Sequence, residues 1–278
     1  MSSLNNKVSH TVALGDGRRA SNGMDTFIKR ITMEAGKAVL KRFGKDGVHY
    51  SKSKHAYDVV TKADLLSEKM IISAILKKYP AHSILSEEEG EINAGSDYRW
   101  IIDPIDGTMN FASSVPLFGV MVCLAHRNTV KLSAIYLPVT DELFFAEADK
   151  GAYLNGKRIH CSTTKKLDAS SGCGFVGSRK RTLNFVKKLL GVIRGEQLFL
   201  NSFGCISMNS CYVACGRKDW AVSLYGEIHD FAPTYLILKE AGCTVTNCKG
   251  EPWKMGDNEA VAANPPLHLQ LLKLTKGV

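Results

Sequence analysis

Trp100-Ile101-Ile102-Asp103-Pro104-Ile105-Asp106-Gly107-Thr108-Met109-Asn110-Phe111 carries an apolar run straight into an acidic turn. Tyr98 to Ile102 has the composition of a buried strand, and it delivers Asp103 at its end. Pro104 lacks an N–H and is expected to stop the ladder there. Asp106 follows on the same turn, and Gly107 permits a left-handed conformation or a close approach by another group. Thr108 is expected to open a short helix whose first amides face an anion. Two carboxylates so spaced can share a hard cation such as Mg²⁺. A plain capped turn is the alternative, because Asp and Gly are common turn formers.

Further acidic residues stand where strands end or helices begin. Asp64 follows Val59-Val60-Thr61 and opens a helix over about 63–78. Glu87-Glu88-Glu89 follows the short strand Ser83-Ile84-Leu85-Ser86, and Asp230 opens an apolar helix running to Ala241. Taken singly, Asp64 and Asp230 read equally as helix N-caps, and the glutamates as a solvated loop. Taken together, Asp64, Glu87, Asp103, Asp106 and Asp230 would repel one another if left bare, so the set makes sense around cations.

The other elements follow from periodicity. A helix over 24–43 places Phe27, Ile28, Ile31, Ala35, Ala38, Val39 and Phe43 on one stripe. The helix at 63–78 has a stripe of Leu66, Met70, Ile71, Ile75 and Leu76. Segment 118–136 is a hairpin about Arg127-Asn128, followed by strands at 142–148 and 151–154 with Asn155-Gly156 as a turn. Beyond a polar stretch near 162–171, strands at 174–178, 198–200, 220–225, 244–246 and 260–262 alternate with helices at 182–194, 206–215, 231–241 and 267–274. The order predicts layered sheets with helices between and outside them.

The 278 residues carry 36 Lys+Arg against 27 Asp+Glu, a net charge of +9, and 45% are hydrophobic. That composition excludes a wholly disordered chain and predicts ample core. No apolar run reaches the ~18 residues of a membrane helix, so no membrane partner is expected. Residues 1–21 are polar, lack the apolar region of a signal peptide and are expected to form a flexible tail. The eight cysteines form no Cys-x-x-Cys pair and are expected to be thiols of a cytoplasmic protein, with Cys243 and Cys248 the pair close enough in sequence to consider as a disulfide.

Asp103-Pro-Ile-Asp-Gly-Thr-Met-Asn-Phe111 resembles the signature of the inositol monophosphatase family, the lithium-sensitive, magnesium-dependent phosphatases. The likeness continues in order through Asp58-Val-Val-Thr-Lys-Ala-Asp64, Glu87-Glu88, Gly151-Ala-Tyr-Leu-Asn-Gly156 and the Asp230 helix with its Glu240-Ala-Gly242, covering roughly residues 24–275. It implies an α/β (α+β) fold, a layered αβαβα sandwich of the inositol monophosphatase and fructose bisphosphatase type. The expected lobes are 22–162, with most of the metal ligands, and 163–278, with Asp230 and the substrate pocket.

By this resemblance, Glu87, Asp103 and the Ile105 carbonyl hold a first Mg²⁺, and Asp103, Asp106 and Asp230 a second. A third, weaker ion would sit near Glu87, which is therefore grouped with the catalytic residues. Asp64 and Thr108 would position the attacking water, and the Gly107 and Thr108 amides would bind phosphate oxygens. Gly204, Cys205 and Asp230 would border the substrate, in a loop and helix start that read alternatively as packing. A small phosphorylated substrate and a homodimer are implied.

The chain departs from the family pattern near Asp230. His229 stands where members often have Trp, leaving its role open between substrate contact and support of Asp230. The acidic residue that often meets inositol hydroxyls aligns with Ser223, and Glu227 would require a loop shift. A family lysine corresponds to Lys52 or Lys54. Asn110-Phe111 favours an inositol phosphate or related sugar or polyol phosphate. Fructose 1,6-bisphosphate, histidinol phosphate and 3′-phosphoadenosine 5′-phosphate are alternative substrates. Basic pairs and Arg179-Lys180-Arg181 keep RNA or a transcription complex as a non-enzymatic alternative, weakened by the lack of interleaved aromatic residues.

Overall fold

The computed structural model describes residues 23–52, 59–93, 95–174, 180–192 and 198–278. The expected tail at 1–21, Lys54, His55, Asp58 and segment 175–179 lie outside them. Among the described residues, seven helices and three sheets build five layers, helix–sheet–helix–sheet–helix.

Helices α1 (Met24–Arg42) and α2 (Lys62–Lys78) form the first layer. Phe27, Ile28, Ile31, Ala35 and Val39 are buried along α1 as the period requires. Gly36 sits over a sheet tyrosine: a Cβ there would lie 2.4 Å from the Tyr136 ring, so its absence lets the helix rest directly on the sheet. The inward face of α2 is Ala63, Asp64, Ser67, Glu68, Ile71, Ile72 and Ile75, whereas Met70 is exposed. The expected stripe was displaced because polar residues at helical spacing also face inward. Strands β1 (Val48–Ser51) and β2 (Val59–Thr61) pair antiparallel. β1 is exposed throughout, so no apolar alternation marks it in the sequence.

The second layer joins β3 (Ser83–Ser86), β4 (Gly90–Ile92), β5 (Tyr98–Asp106), β6 (Gly119–His126), β7 (Thr129–Leu137), β8 (Glu142–Glu147), β9 (Gly151–Leu154) and β10 (Lys157–Ile159). Their order is β10-β9-β8-β7-β6-β5-β3-β4, with β3 and β5 parallel and the other neighbours antiparallel. The unexpected β4 and β10 are short, charged strands at the two edges, where unpaired backbone is best masked by charge. Pro104 does not end β5. The strand runs on to Asp106, and its register against β6 shifts between Asp103 and Asp106, absorbing the residue that cannot donate.

The other sheet contains β11 (Ser171–Gly174), β12 (Phe199–Asn201), β13 (Trp220–Ser223), β14 (Thr244–Thr246) and β15 (Ala260–Ala263), ordered β12-β11-β13-β15-β14. Between the sheets lie α5 (Ile206–Ala214) and α6 (Ile228–Glu240), packing Cys211, Val213, Leu236 and Ile237 against Met121 and Ile135 on one side and Ala221 and Val245 on the other. α4 (Lys180–Val192) and α7 (Pro265–Thr275) cover the outer face through Phe185, Leu189, Leu267 and Leu271 on Trp220 and Val261. The short α3 (Thr108–Ala112) follows β5. No helix among the described residues is long and apolar enough to cross a membrane.

Candidate active site

The acidic turn sits where β5 leaves its sheet and meets the inter-sheet helices. Asp103 and Asp106 are 2% and 7% exposed, and both lie within one cluster with Asp230. Asp103 also clusters with Glu87 and His229, each offering one donor atom within 4.8 Å of the others. Oδ1 of Asp103 has no hydrogen-bond partner although it is buried. Burial, then the charges of Glu87, Asp106 and Asp230, raise the Asp103 carboxyl well above its ordinary value. Asp230 is pushed up to about 8 by burial and then by Asp106. Oxygen-rich donors, a bare buried carboxylate oxygen and mutual repulsion fit divalent cations.

Asp64 and Asp230 prove not to be N-caps. Each stands in the first turn of its helix and accepts from the backbone N–H of the residue three before it: Thr61 to Asp64 at 2.8 Å, Glu227 to Asp230 at 2.6 Å. One side chain therefore both fixes a helix start and faces the site. α6 begins at Ile228, earlier than the apolar run suggests, which places Asp230 inside the helix.

Thr108 joins Asp64 to the turn. Its hydroxyl lies 3.1 Å from Asp64 Oδ1 and 2.8 Å from the Ile105 carbonyl, the oxygen expected to ligate a cation. Burial pushes Asp64 up to about 6 against the hydrogen bonds from Thr61 and Thr108. Gly107 has φ +89°, and a Cβ there would come within 2.9 Å of the Leu117 carbonyl and 3.2 Å of Cys205 Cβ. Only glycine fits that conformation and that space.

Asp106 also reaches the start of α5. Ile206 N–H donates to Oδ1 at 3.1 Å, Ser207 N–H to Oδ2 at 2.6 Å and the Cys205 thiol to Oδ2 at 2.9 Å. Burial, then the Asp106 charge, raise the thiol well above its ordinary value and keep it a donor. Cys205 is thus buried against Asp106, while Gly204 is exposed at the cleft. Asn110 fastens the two segments by donating to Leu117 and Phe203 carbonyls, each at 2.7 Å.

The cleft has a volume of about 470 Å³, with Glu87, Asp106, Cys205, His229 and Asp230 on its walls and Glu227 at its rim. Ser223 is buried in β13 and does not line it. Lys52 donates to Glu87 at 2.7 Å and pairs with Glu88 at 2.8 Å. Burial opposes its charge, but the two glutamates outweigh that and hold the ammonium above its ordinary value. Burial raises Glu88 to about 7 against the Lys52 hydrogen bond. Arg181 is engaged away from the cleft, with Glu259 and the carbonyls of Leu224 and Val278.

Glu68 was absent from the sequence-derived site. It is 1% exposed and accepts from Ser86 Oγ and from the N–H groups of Glu88 and Glu89. It shapes the turn that presents Glu87. Its position one helical turn after Asp64, on the same face, was the available signal.

A model of the inositol monophosphatase family matches residues 22–276. The chain is 34% identical to a fructose-1,6-bisphosphatase/inositol-1-monophosphatase of Aquifex aeolicus over 251 residues, 90% of this chain and 94% of that one. It is 32% identical to Nus factor SuhB of Salmonella typhimurium over 244 residues, 87% and 91% of the two chains. The crystal structure of the extragenic suppressor protein suhB from Bartonella henselae superposes with a TM-score of 0.84 at 29% identity, covering 91% of this chain and 98% of that one. Signature, fold and cleft agree with these likenesses, and the chain belongs to the inositol monophosphatase family.

Proposed function

We propose that the protein is a Mg²⁺-dependent phosphomonoesterase that hydrolyses inositol monophosphate or a related small sugar or polyol phosphate with an activated water. The observation that carries this reading is the clustering of buried Asp103, which holds an unpartnered oxygen, with Glu87, Asp106 and Asp230 on the wall of one cleft. Glu87, Asp103 and the Ile105 carbonyl would hold one cation, and Asp103, Asp106 and Asp230 another; a third near Glu87 rests on the family likeness alone. Bound there, divalent cations acidify water and offset the charge of the phosphate and its leaving oxygen.

The chain's own groups do the positioning. Thr108 directs its proton to Asp64 or the Ile105 carbonyl and turns a lone pair toward water. Asp64, made more basic by burial, takes up the water's proton through the Thr108 hydroxyl, which passes its own proton to Asp64 as it accepts one from the water. The water oxygen bonds to phosphorus while the ester P–O bond breaks, and the departing alkoxide takes a proton from a solvent water. The Gly107 and Thr108 amides face phosphate oxygens, and Gly204 and Cys205 border the substrate side. Glu227, at the rim, is placed to meet substrate hydroxyls better than buried Ser223.

Lobes of 22–162 and 163–278 belong to this reading, supported by a sheet from each part and a cleft between their helices and turns. A cytoplasmic homodimer is carried by the family likeness alone.

Phosphate release with Mg²⁺ from inositol 1-phosphate, fructose 1,6-bisphosphate, histidinol phosphate and adenosine 3′,5′-bisphosphate tests the proposal. Preference for the first supports it, and no release from any member overturns it. The relatives named Nus factor SuhB favour a second reading, a role in a transcription complex. Steeply salt-dependent RNA binding without phosphate release would favour that reading.

A further inference from the structure

Among the described residues, His229 stands out around the cations' site as the histidine in a cluster otherwise made of carboxylates. Its Nε2 lies 4.0 Å from Glu87 Oε1, and it shares a cluster with Glu87 and Asp103 in which the donor atoms are within 4.8 Å of one another. Donor atoms within that span of one another are close enough to meet on one cation. The imidazole is 9% exposed, so solvent does not already occupy it on all sides. Its far nitrogen, Nδ1, lies 4.0 Å from Glu227 Oε2. At that distance Glu227 is a nearby charge behind the ring rather than a hydrogen-bond partner. Asp103 supplies an independent sign of a missing partner, since its buried Oδ1 has none.

We propose that His229 Nε2 is a direct ligand of the cation held by Glu87 and Asp103, making that site a mixed nitrogen–oxygen site that favours Mn²⁺ over Mg²⁺. Mg²⁺ prefers oxygen donors and gives up water reluctantly, whereas imidazole suits transition metals. Lys52 donates to the same Glu87 oxygen, Oε1, that lies 4.0 Å from His229 Nε2, and so anchors that carboxylate beside the imidazole. This inference rests on the cation sites of the proposed phosphatase but concerns which atoms bind, not turnover.

Mn²⁺ added to the full-length, metal-free protein and followed by electron paramagnetic resonance tests it. Electron spin echo envelope modulation should show a directly bound imidazole ¹⁴N, and this signal should change to the ¹⁵N pattern when histidine is isotopically labelled. His229→Gln should abolish the modulation and weaken Mn²⁺ binding roughly tenfold or more, with a smaller effect on Mg²⁺. The spectrum of the unaltered protein keeps the test independent of whether the variant folds. Bound Mn²⁺ without histidine nitrogen modulation overturns this inference and leaves the phosphatase reading standing. Absence of any bound Mn²⁺ or Mg²⁺ overturns both.

Discussion

The Cys205 thiol donates to Oδ2 of Asp106 at 2.9 Å across a sequence separation of 99 residues. With the Ile206 and Ser207 amides it leaves both oxygens of Asp106 fixed by the start of α5. A proposed cation ligand is therefore also a joint between the β5 turn and an inter-sheet helix. Asp106→Asn can keep only one oxygen, and its NH₂ then faces a donor. The variant should lose about 1–3 kcal/mol of stability. Its turnover should fall further, on the order of a hundredfold or more, because several kcal/mol of charge stabilisation go with the carboxylate. Thermal melts and phosphate release measure the two effects; unchanged Mg²⁺-dependent turnover would remove Asp106 from the catalytic scheme.

Thr108 separates positioning from binding. Thr108→Ala should lower kcat by roughly 10²–10⁴-fold with KM little changed, as expected for loss of a proton-transfer path. Thr108→Ser, which keeps the hydroxyl, should recover most of the rate. Equal losses in both variants would show that the methyl's packing, rather than the hydroxyl, matters.

Removal of metal should change how stability depends on pH. Asp103 lies well above its ordinary value and Asp230 at about 8 in the metal-free protein. Unfolded Asp titrates near ~4, so the folded state binds these protons more tightly. Their stabilisation is complete below that unfolded value and is lost as pH rises through about 8. The metal-free protein should melt at progressively lower temperature across that window, and Mg²⁺ should flatten the slope by replacing the protons. Calorimetry in buffers of different ionisation enthalpy should record proton release on Mg²⁺ binding at neutral pH. A pH-independent melting temperature without metal would contradict the crowding of carboxylates.

Glu68→Gln should disturb the turn carrying Glu87 without touching substrate. All three donors meet one oxygen, Oε1, and a neutral amide oxygen accepts from them more weakly than the carboxylate does. Mg²⁺ should be needed at roughly 10–100-fold higher concentration for half-maximal activity, while kcat at saturating metal changes less. An unaltered Mg²⁺ requirement would make Glu68 a packing residue only.

Each of the eight cysteines is a free thiol, and Cys243 has Cys161, not Cys248, as its partner. The Cys243 hydrogen bond lowers the Cys161 thiol below its ordinary value, and the same contact, followed by burial, raises Cys243. Iodoacetamide should therefore modify half-exposed Cys161 first, with half-maximal rate at a pH below that of an ordinary thiol. Peptide mapping after brief labelling checks the site; preferential labelling of Cys243 would reverse the assignment.

The run from Trp100 to Phe111 made the acidic turn legible because its residue types are constrained by backbone conformation as well as chemistry. Gly107 is needed for space, Asp103 and Asp106 for charge. The α1 stripe was legible because one apolar face meets one sheet. The α2 stripe was misread because Asp64, Ser67 and Glu68 are buried where a purely apolar pattern expects hydrocarbon. Pro104 was misread because a register shift lets the strand pass it. Partners such as Asp106 with Cys205, Lys52 with Glu87, or His229 with Asp103 are set by tertiary approach, which no local period encodes.

The cap on Asp106 has a consequence for how the molecule comes into being. During synthesis Cys205 is added 99 residues after Asp106, an interval of about 5–20 s at ~5–20 residues per second. The first large sheet is complete in sequence by Ile159, before either the cap or Asp230 exists. A nascent chain thus carries its acidic turn for seconds without the donors that hold it, and the cleft takes its final shape only when the later helices arrive.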